Sequence, residues 1–187
     1  MITFVATAHK EKYDPYILIS SLLLQKDSRW KCIVCCDGPN EDVDKCVSMF
    51  NDPRISVHTE NNATGFWGHK NRKMALENLV DTDFIIQTSI QDYYIPTTVK
   101  EILKFSETFD LIYFNCLHHH IDYEVLKSKI VVNEIDWGSF AVRTFIAKNV
   151  GIKDVTCSSC DGKFAENCLK YDGIRITKIE KTLTVHN

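Results

Sequence analysis

Between Ile2 and Cys116 the chain alternates short apolar, β-branched runs with stretches of helical period, and this alternation limits the possible folds more than any other feature. Ile2–Ala8, Trp30–Cys36, Arg54–His58, Asp83–Thr88 and Leu111–Cys116 have the length and residue types of strands. The segments between them carry helix signals. Asp14 before Pro15 is an N-cap acid followed by proline at the first helical position, and Ile17, Leu18, Ser21, Leu22 and Leu24 mark an amphipathic helix reaching Gln25. Glu41–Phe50, with Val43, Cys46, Val47 and Phe50 inward, then Gly68–Leu79 and Thr97–Phe105, continue the pattern. A β-α-β-α-β-α-β-α-β order predicts an α/β fold with a parallel, doubly wound sheet and helices on both faces.

After Cys116 the rhythm changes. His118–His120 is a polar knot, and Tyr123–Val132 alternates weakly, as a hairpin or edge ribbon would. Ser139–Val142 reads as a strand, Thr144–Val150 as a helix closed by Gly151, and Asp161–Lys170 as a further helix. Ile174–Ile176 and Leu183–Val185 read as two short strands. No repeat or linker divides the 187 residues, so one domain is expected, with residues 1–116 binding a nucleotide and residues 117–187 closing the site.

Composition removes several classes. A net charge of −3 and the absence of any Lys/Arg run argue against nucleic-acid binding. No apolar stretch reaches the roughly 18 residues of a membrane span. The first residues already read as a strand with no signal peptide before them, so a cytoplasmic location is expected. Of the eight cysteines, Cys32, Cys35 and Cys36 lie in an apolar run and pack as small hydrophobes. Cys157 and Cys160 have the spacing of a zinc knuckle or redox pair, and a zinc site would need a second cysteine pair to converge on them. A disulfide framework is not expected.

Four polar clusters follow strand ends: Thr7-Ala8-His9, Asp37-Gly38, the loop Asn61–Trp67, and Ser89–Asp92. In open α/β sheets this edge binds ligands. In DFIIQTSIQDYYIP, residues 83–96, a buried strand gives way to Gln87, Thr88, Ser89, Gln91 and Asp92 before Pro96 stops it. Asp92 can there hold a divalent metal that holds a diphosphate, or make a local turn hydrogen bond. The helix from Gly68 opens with His69, Lys70, Arg72 and Lys73, against the preference of a positive helix start for acids. An anion bound there relieves the conflict; a solvated basic face is the alternative. His118–His120 is a solvated run or a source of one metal ligand, and His186 follows a strand from which it can reach a metal. Asp161 opens a helix, as an ordinary N-cap or as a functional acid.

Taken together, Ser20–Gln25, Trp30–Gly38, Gly68–Leu76, Ser89–Pro96, Gly138–Arg143 and Asp161–Glu166 resemble the GT-A-fold, nucleotide-sugar-dependent glycosyltransferases of family 2, particularly compact virus-encoded members, over nearly the whole chain. The resemblance implies a GT-A, mainly parallel sheet flanked by helices, with a small C-terminal β/α part closing the site. It implies an inverting hexosyl- or pentosyltransferase moving sugar from a nucleotide-diphosphate sugar, commonly a UDP-sugar, to a hydroxyl of a glycan or glycoprotein. By position, Asp37 would bond the base and Thr7 would lie along base or ribose, with Ala8 and His9 beside it. Gly68, Lys70, Arg72, Ser89 and Gln91 would face the donor. Asp136, Trp137 and Gly138 would line the acceptor pocket, and Asp161 would be the general base. Asp92, in the DxD region, and His186 would hold Mn²⁺ or Mg²⁺. The family pattern there is roughly Asp-x-Asp-Asp; here Ser89, Ile90, Gln91 and Asp92 retain one carboxylate, which weakens metal binding. Two other functions fit some of the residues: a non-catalytic nucleotide-sugar or glycan-binding module on the same fold, and a zinc or thiol-redox protein built on Cys157 and Cys160.

Overall fold

A computed structural model describes residues 1–9, 14–61 and 65–187. Most of the expected exit loop His9–Tyr13 and the centre of the expected loop Asn61–Trp67 lie outside the described residues.

The first half follows the βα alternation. β1 (Ile2–His9), β2 (Trp30–Asp37), β3 (Ile55–Thr59) and β4 (Phe84–Ser89) lie parallel in the order β3-β2-β1-β4. β1 is buried at every residue from Ile2 to Ala8 because helices cover both faces, and successive side chains serve opposite cores. Phe4 and Phe84 pack into one cluster with Leu18, Leu22 and Trp30. Their neighbours Val5 and Ile85 pack into the other with Leu76, Phe140 and Phe164.

α1 (Pro15–Leu23) starts where the Asp14 carboxylate accepts the Tyr16 amide at 2.8 Å. Its buried face is Leu18, Ile19 and Leu22; Ile17 and Leu24, expected inward, are exposed. The helix is apolar on several sides, so period alone left its facing open. α2 (Glu41–Phe50) starts at Asn40, whose side chain accepts the Val43 amide at 3.1 Å.

The second half departs from simple alternation. β5 (Tyr93–Tyr94), α4 (Thr98–Leu103), β6 (Leu111–His118), β7 (Glu124–Leu126), β8 (Phe140–Arg143), α5 (Thr144–Val150) and β9 (Ile176–His186) complete the nine-stranded sheet and much of its cover. β8 enters between β4 and β6, antiparallel to both, so the fifth strand of the alternation is not a neighbour of the fourth. β9 runs parallel to β6, with register shifts between Phe114 and Cys116, and β5 pairs antiparallel on its far side. The two short strands expected near the C-terminus are one strand of 11 residues. Exposed Glu180 and Lys181 and the bulge broke its apolar pattern. Of the hairpin or edge ribbon expected over Tyr123–Val132, only β7 is strand, and it pairs antiparallel with β6.

One ionic knot fixes the far end of the new strands. Asp110 accepts Arg175 Nε and Nη2, both at 3.0 Å, and Arg143 Nε at 3.2 Å. At the opposite edge the register aligns Thr7 with Ser89, His9 with Asp37, and His118 with His186. Among the described residues, no helix is long and apolar enough to cross a membrane.

Candidate active site

The carboxyl edge encloses a cleft of about 1080 Å³. Thr7, Ala8, His9, Asp37, Gly68, Arg72, Ser89, Gln91, Asp92, Asp136, Trp137, Asp161 and His186, all singled out from sequence, line it. Lys70 does not: it is exposed, with its ammonium 5.5 Å from the Phe66 ring centre. Gly138 lies beneath the wall, where its carbonyl accepts the Tyr94 hydroxyl at 3.2 Å. Gly65, Phe66 and Trp67, from the expected loop Asn61–Trp67, and His69, from the expected basic helix start, also line the cleft, as do Ser158 and Asn187, which escaped the sequence reading. Two adjacent aromatics between glycines were the available signal for Phe66 and Trp67.

One wall is built from β1, β2 and the start of α3 (His69–Asn78). Asp37, buried at the end of β2, accepts the Gly65 amide at 2.9 Å, and His9 Nε2 stands 3.9 Å from the same carboxylate oxygen. Gly68 caps α3 at φ 73°, and a Cβ there would lie 2.7 Å from Thr7 Cβ. This close approach lets Arg72, one turn on and buried, donate Nη1 to the Thr7 hydroxyl. Its guanidinium lies 5.6 Å from the Trp137 ring centre, and its Nε has no partner among the described residues. Burial pulls the Arg72 pKa down, while the charges of Asp92, Asp136 and Asp161 oppose that shift. The four basic side chains expected to share an anion are therefore not equivalent. His69 is buried and pushed down to about 4 by that burial and then by Arg72, so it is neutral. Lys73 lies 4.0 Å from Glu77, and Lys70 is exposed.

The opposite wall gathers Asp92, Asp136, His118 and His186. Asp92 makes the turn contacts that were one of its two expected roles: Oδ2 accepts the Thr88 hydroxyl at 2.6 Å and the Ser89 amide at 2.8 Å. Its Oδ1 is 2.8 Å from His186 Nδ1. Burial lowers the His186 pKa, but the Asp92 bond and the charges of Asp136 and Asp92 outweigh it and raise the group to about 9. Asp136 ends the loop before Trp137; its Oδ1 accepts the Gly138 amide at 2.8 Å, and its Oδ2 is 3.9 Å from His186 Nδ1. Burial raises the Asp136 pKa. His118, the last residue of β6, stands beside His186 with ring centres 4.6 Å apart. Burial, then the neighbouring histidines, lower its pKa to about 4. One donor atom each from His118, Asp136 and His186 lies within 4.8 Å of the other two.

Asp161 faces this wall from α6 (Cys160–Leu169). It is the second helical residue, not the N-cap, which is Ser159. Its Oδ1 accepts the Gly162 amide at 2.7 Å. Burial, then Asp136, push its pKa up to about 6, which overrides the depression expected from a helix start. The zinc alternative at Cys157 and Cys160 required a second cysteine pair, and among the described residues no metal-capable cluster includes either cysteine. All eight cysteines are free, and among the described residues the only metal-capable cluster is His118, Asp136 and His186.

The cleft at the strand ends thus has a buried cation on one wall and carboxylates with imidazoles on the other, on a GT-A fold. The solved structures show that fold. The chain superposes on S. aureus TarS in complex with UDP-GlcNAc with a TM-score of 0.80 at 17% identity, over 99% of this chain and 58% of that one. It superposes on mannosyltransferase PcManGT from Pyrobaculum calidifontis in complex with GDP-Man and Mn²⁺ with a TM-score of 0.74 at 12% identity, covering 99% and 56%. For GalNAc-T7 with UDP, GalNAc and Mn²⁺ the TM-score is 0.75 at 9% identity, covering 99% and 42%. The chain thus spans less than two thirds of each of these structures. No protein-family model and no curated protein matches it.

Proposed function

We propose that the chain is a glycosyltransferase that takes a sugar from a nucleotide-diphosphate donor, a UDP-sugar, and passes it to a hydroxyl of a glycan or glycoprotein with inversion. The supporting observation is that a buried cation, Arg72, and a half-buried carboxylate of raised pKa, Asp161, line one cleft on the carboxyl edge of a GT-A sheet. The donor part is residues 1–116, where Asp37 accepts from the base, Thr7, Ala8 and His9 flank base and ribose, and Gly68, Ser89 and Gln91 shape the diphosphate path. Arg72 offers charge to the diphosphate, while Lys70 contributes at most a distant field. Residues 117–187 form the acceptor side, with Trp137 as its wall.

The acceptor oxygen attacks the anomeric carbon as the bond to the diphosphate oxygen breaks. Its proton passes to the Asp161 carboxylate, whose pKa near 6 leaves it ionised at neutral pH yet basic enough to accept. The leaving diphosphate develops negative charge beside Arg72. His118, Asp136 and His186 are oxygen and nitrogen donors suited to a divalent ion such as Mn²⁺, which when bound would neutralise diphosphate charge.

A second reading is a non-catalytic nucleotide-sugar or glycan-binding module. It is favoured by one feature: both Asp92 oxygens are already hydrogen-bonded, so the lone carboxylate of the strand exit is engaged internally. Incubation with a panel of UDP- and GDP-sugars and Mn²⁺, read by thermal shift and by release of the nucleoside diphosphate, separates the two. A UDP-sugar should raise the melting temperature and be slowly hydrolysed. A shift without hydrolysis supports the binding module, and no response to any donor removes both.

A further inference from the structure

We infer that Trp67 is a stacking platform for an uncharged sugar ring of the acceptor, presented at the acceptor side of the cleft by a strained left-handed turn.

Four consecutive residues, Gly65 to Gly68, have positive φ, at 67°, 52°, 53° and 73°. Glycine adopts such angles freely, but Phe66 and Trp67 do so against their Cβ atoms. Strain of this kind persists only where the surroundings hold it in place. Here both ends of the turn are pinned. The Gly65 amide donates to Asp37, the Gly68 amide donates to the Gly65 carbonyl at 3.2 Å, and Gly68 lies too close to Thr7 for a side chain. Packing does not account for the strain at Trp67, because that residue is 64% exposed while Trp30 and Trp137 are buried. An exposed indole held by an unfavourable backbone on the wall of a cleft marks a binding contact.

The neighbours of Trp67 give the side of the cleft and the chemistry. The His69 ring lies 6.0 Å from it, Trp137 lies 6.1 Å from His69, and Phe164 lies 5.3 Å from Trp137. Phe164 is on α6, the helix that carries Asp161, so this row of rings links Trp67 to the proposed base. The Phe66 ring instead has the Lys70 ammonium 5.5 Å from its centre. A pyranose has a face of C–H bonds that packs on an indole as other apolar groups do, and a rim of hydroxyls that stays solvated. A charged sugar fits poorly. Asp136 and Asp161 line the cleft with Trp137, His186 is engaged by Asp92, and burial keeps His69 neutral. Arg72 is matched by the donor diphosphate. Assigning the sugar to the acceptor rests on the transferase reading; stacking of a neutral sugar on Trp67 does not.

The protein has three tryptophans, and the other two are 1% and 5% exposed, so iodide quenching of intrinsic fluorescence reads Trp67. The test titrates the full chain, with and without UDP, with methyl glycosides of glucose, galactose, mannose and N-acetylglucosamine and their short oligomers. Methyl glucuronide is the charged counterpart. At least one neutral sugar should protect Trp67 saturably, and the glucuronide should not. Trp67→Asn suits the left-handed backbone, so its melting temperature should hold or rise. Its affinity for the protecting sugar, read by saturation-transfer NMR, should fall about 10-fold or more. Trp67→Phe retains a ring and should keep most of the binding. Protection by no neutral sugar, equal protection by the glucuronide, or unchanged sugar binding in Trp67→Asn overturns the proposal. So does a lower melting temperature in Trp67→Asn, which would assign the indole to packing, or a loss of UDP affinity, which would set it against the base. Donor hydrolysis with Trp67 unprotected sinks the platform alone, and protection without donor hydrolysis sinks only the transferase reading.

Discussion

Asp37 Oδ2 accepts the Gly65 amide at 2.9 Å and so ties the exit of β2 to the loop that opens α3. The carboxylate is buried yet lines the cleft, where a base edge can compete for its second oxygen. Asp37→Ala should weaken UDP binding by about 1–3 kcal/mol, the range for a hydrogen bond involving a charged group. Calorimetry with UDP reads this directly. Asp37→Asn retains an acceptor for Gly65, so equal losses in both variants assign the effect to the charge, and unchanged affinity in both removes Asp37 from the donor site.

Gly68 and Thr7 are packed too closely for a side chain between them. Gly68→Ala adds a Cβ 2.7 Å from Thr7 Cβ at a backbone φ of 73°. Overpacking alone costs about 1–3 kcal/mol, and the left-handed backbone adds to it. Urea unfolding should show the loss. In a double-mutant cycle, Thr7→Gly, which removes the Cβ, should restore the clash part but not the backbone part. If Thr7→Gly restores nothing, the contact is not the source.

The parallel half of the sheet was legible because its strands are buried on both faces and read as unbroken apolar runs, as in Phe84–Ile86. β8 was recognised as a strand, but its insertion between β4 and β6 depends on pairing that no local pattern records. The site was legible where a polar residue follows a strand, as with Thr7, Asp37 and Asp92. It was obscured where orientation decides: spacing treats Lys70 and Arg72 alike, yet one is exposed and the other buried against Thr7. The partnership of His118 with His186 spans 68 positions and exists only through the β6/β9 register, so a run of three histidines could not reveal which of them is paired with His186.

Asp110 should set an acid limb of stability. The Arg175 hydrogen bond, outweighing burial, holds its pKa below the ordinary value. A depressed carboxylate stabilises the fold above its unfolded pKa of about 4, and that contribution is lost as pH falls through the folded value. Asp110→Ala should therefore lose about 1–3 kcal/mol at pH 7. The gap from the unmodified protein should narrow at pH 3. Urea unfolding at both pH values checks this, and a gap of constant size would show that the arginines contribute through packing alone.

Asp161 gives the sharpest separation of function from structure. Its folded pKa, about 6, lies above the ordinary carboxylate value of 3.8, so ionising it opposes folding, with the cost growing from about pH 4 and complete above about pH 6. As a base it must be ionised, so transfer should rise through an acid limb near pH 6. Asp161→Asn removes both the base and the buried charge. Transfer should fall by about 100-fold or more while UDP affinity holds, because the residue lies on the acceptor side. Stability at pH 8 should match or exceed that of the unmodified protein, and this advantage should vanish near pH 4. Ser159, not Asp161, occupies the cap position, so Asn is not compensating for a lost cap. Near-normal transfer by Asp161→Asn would remove the residue from the chemistry and leave Asp136, across the same cleft, as the remaining buried carboxylate able to take the proton.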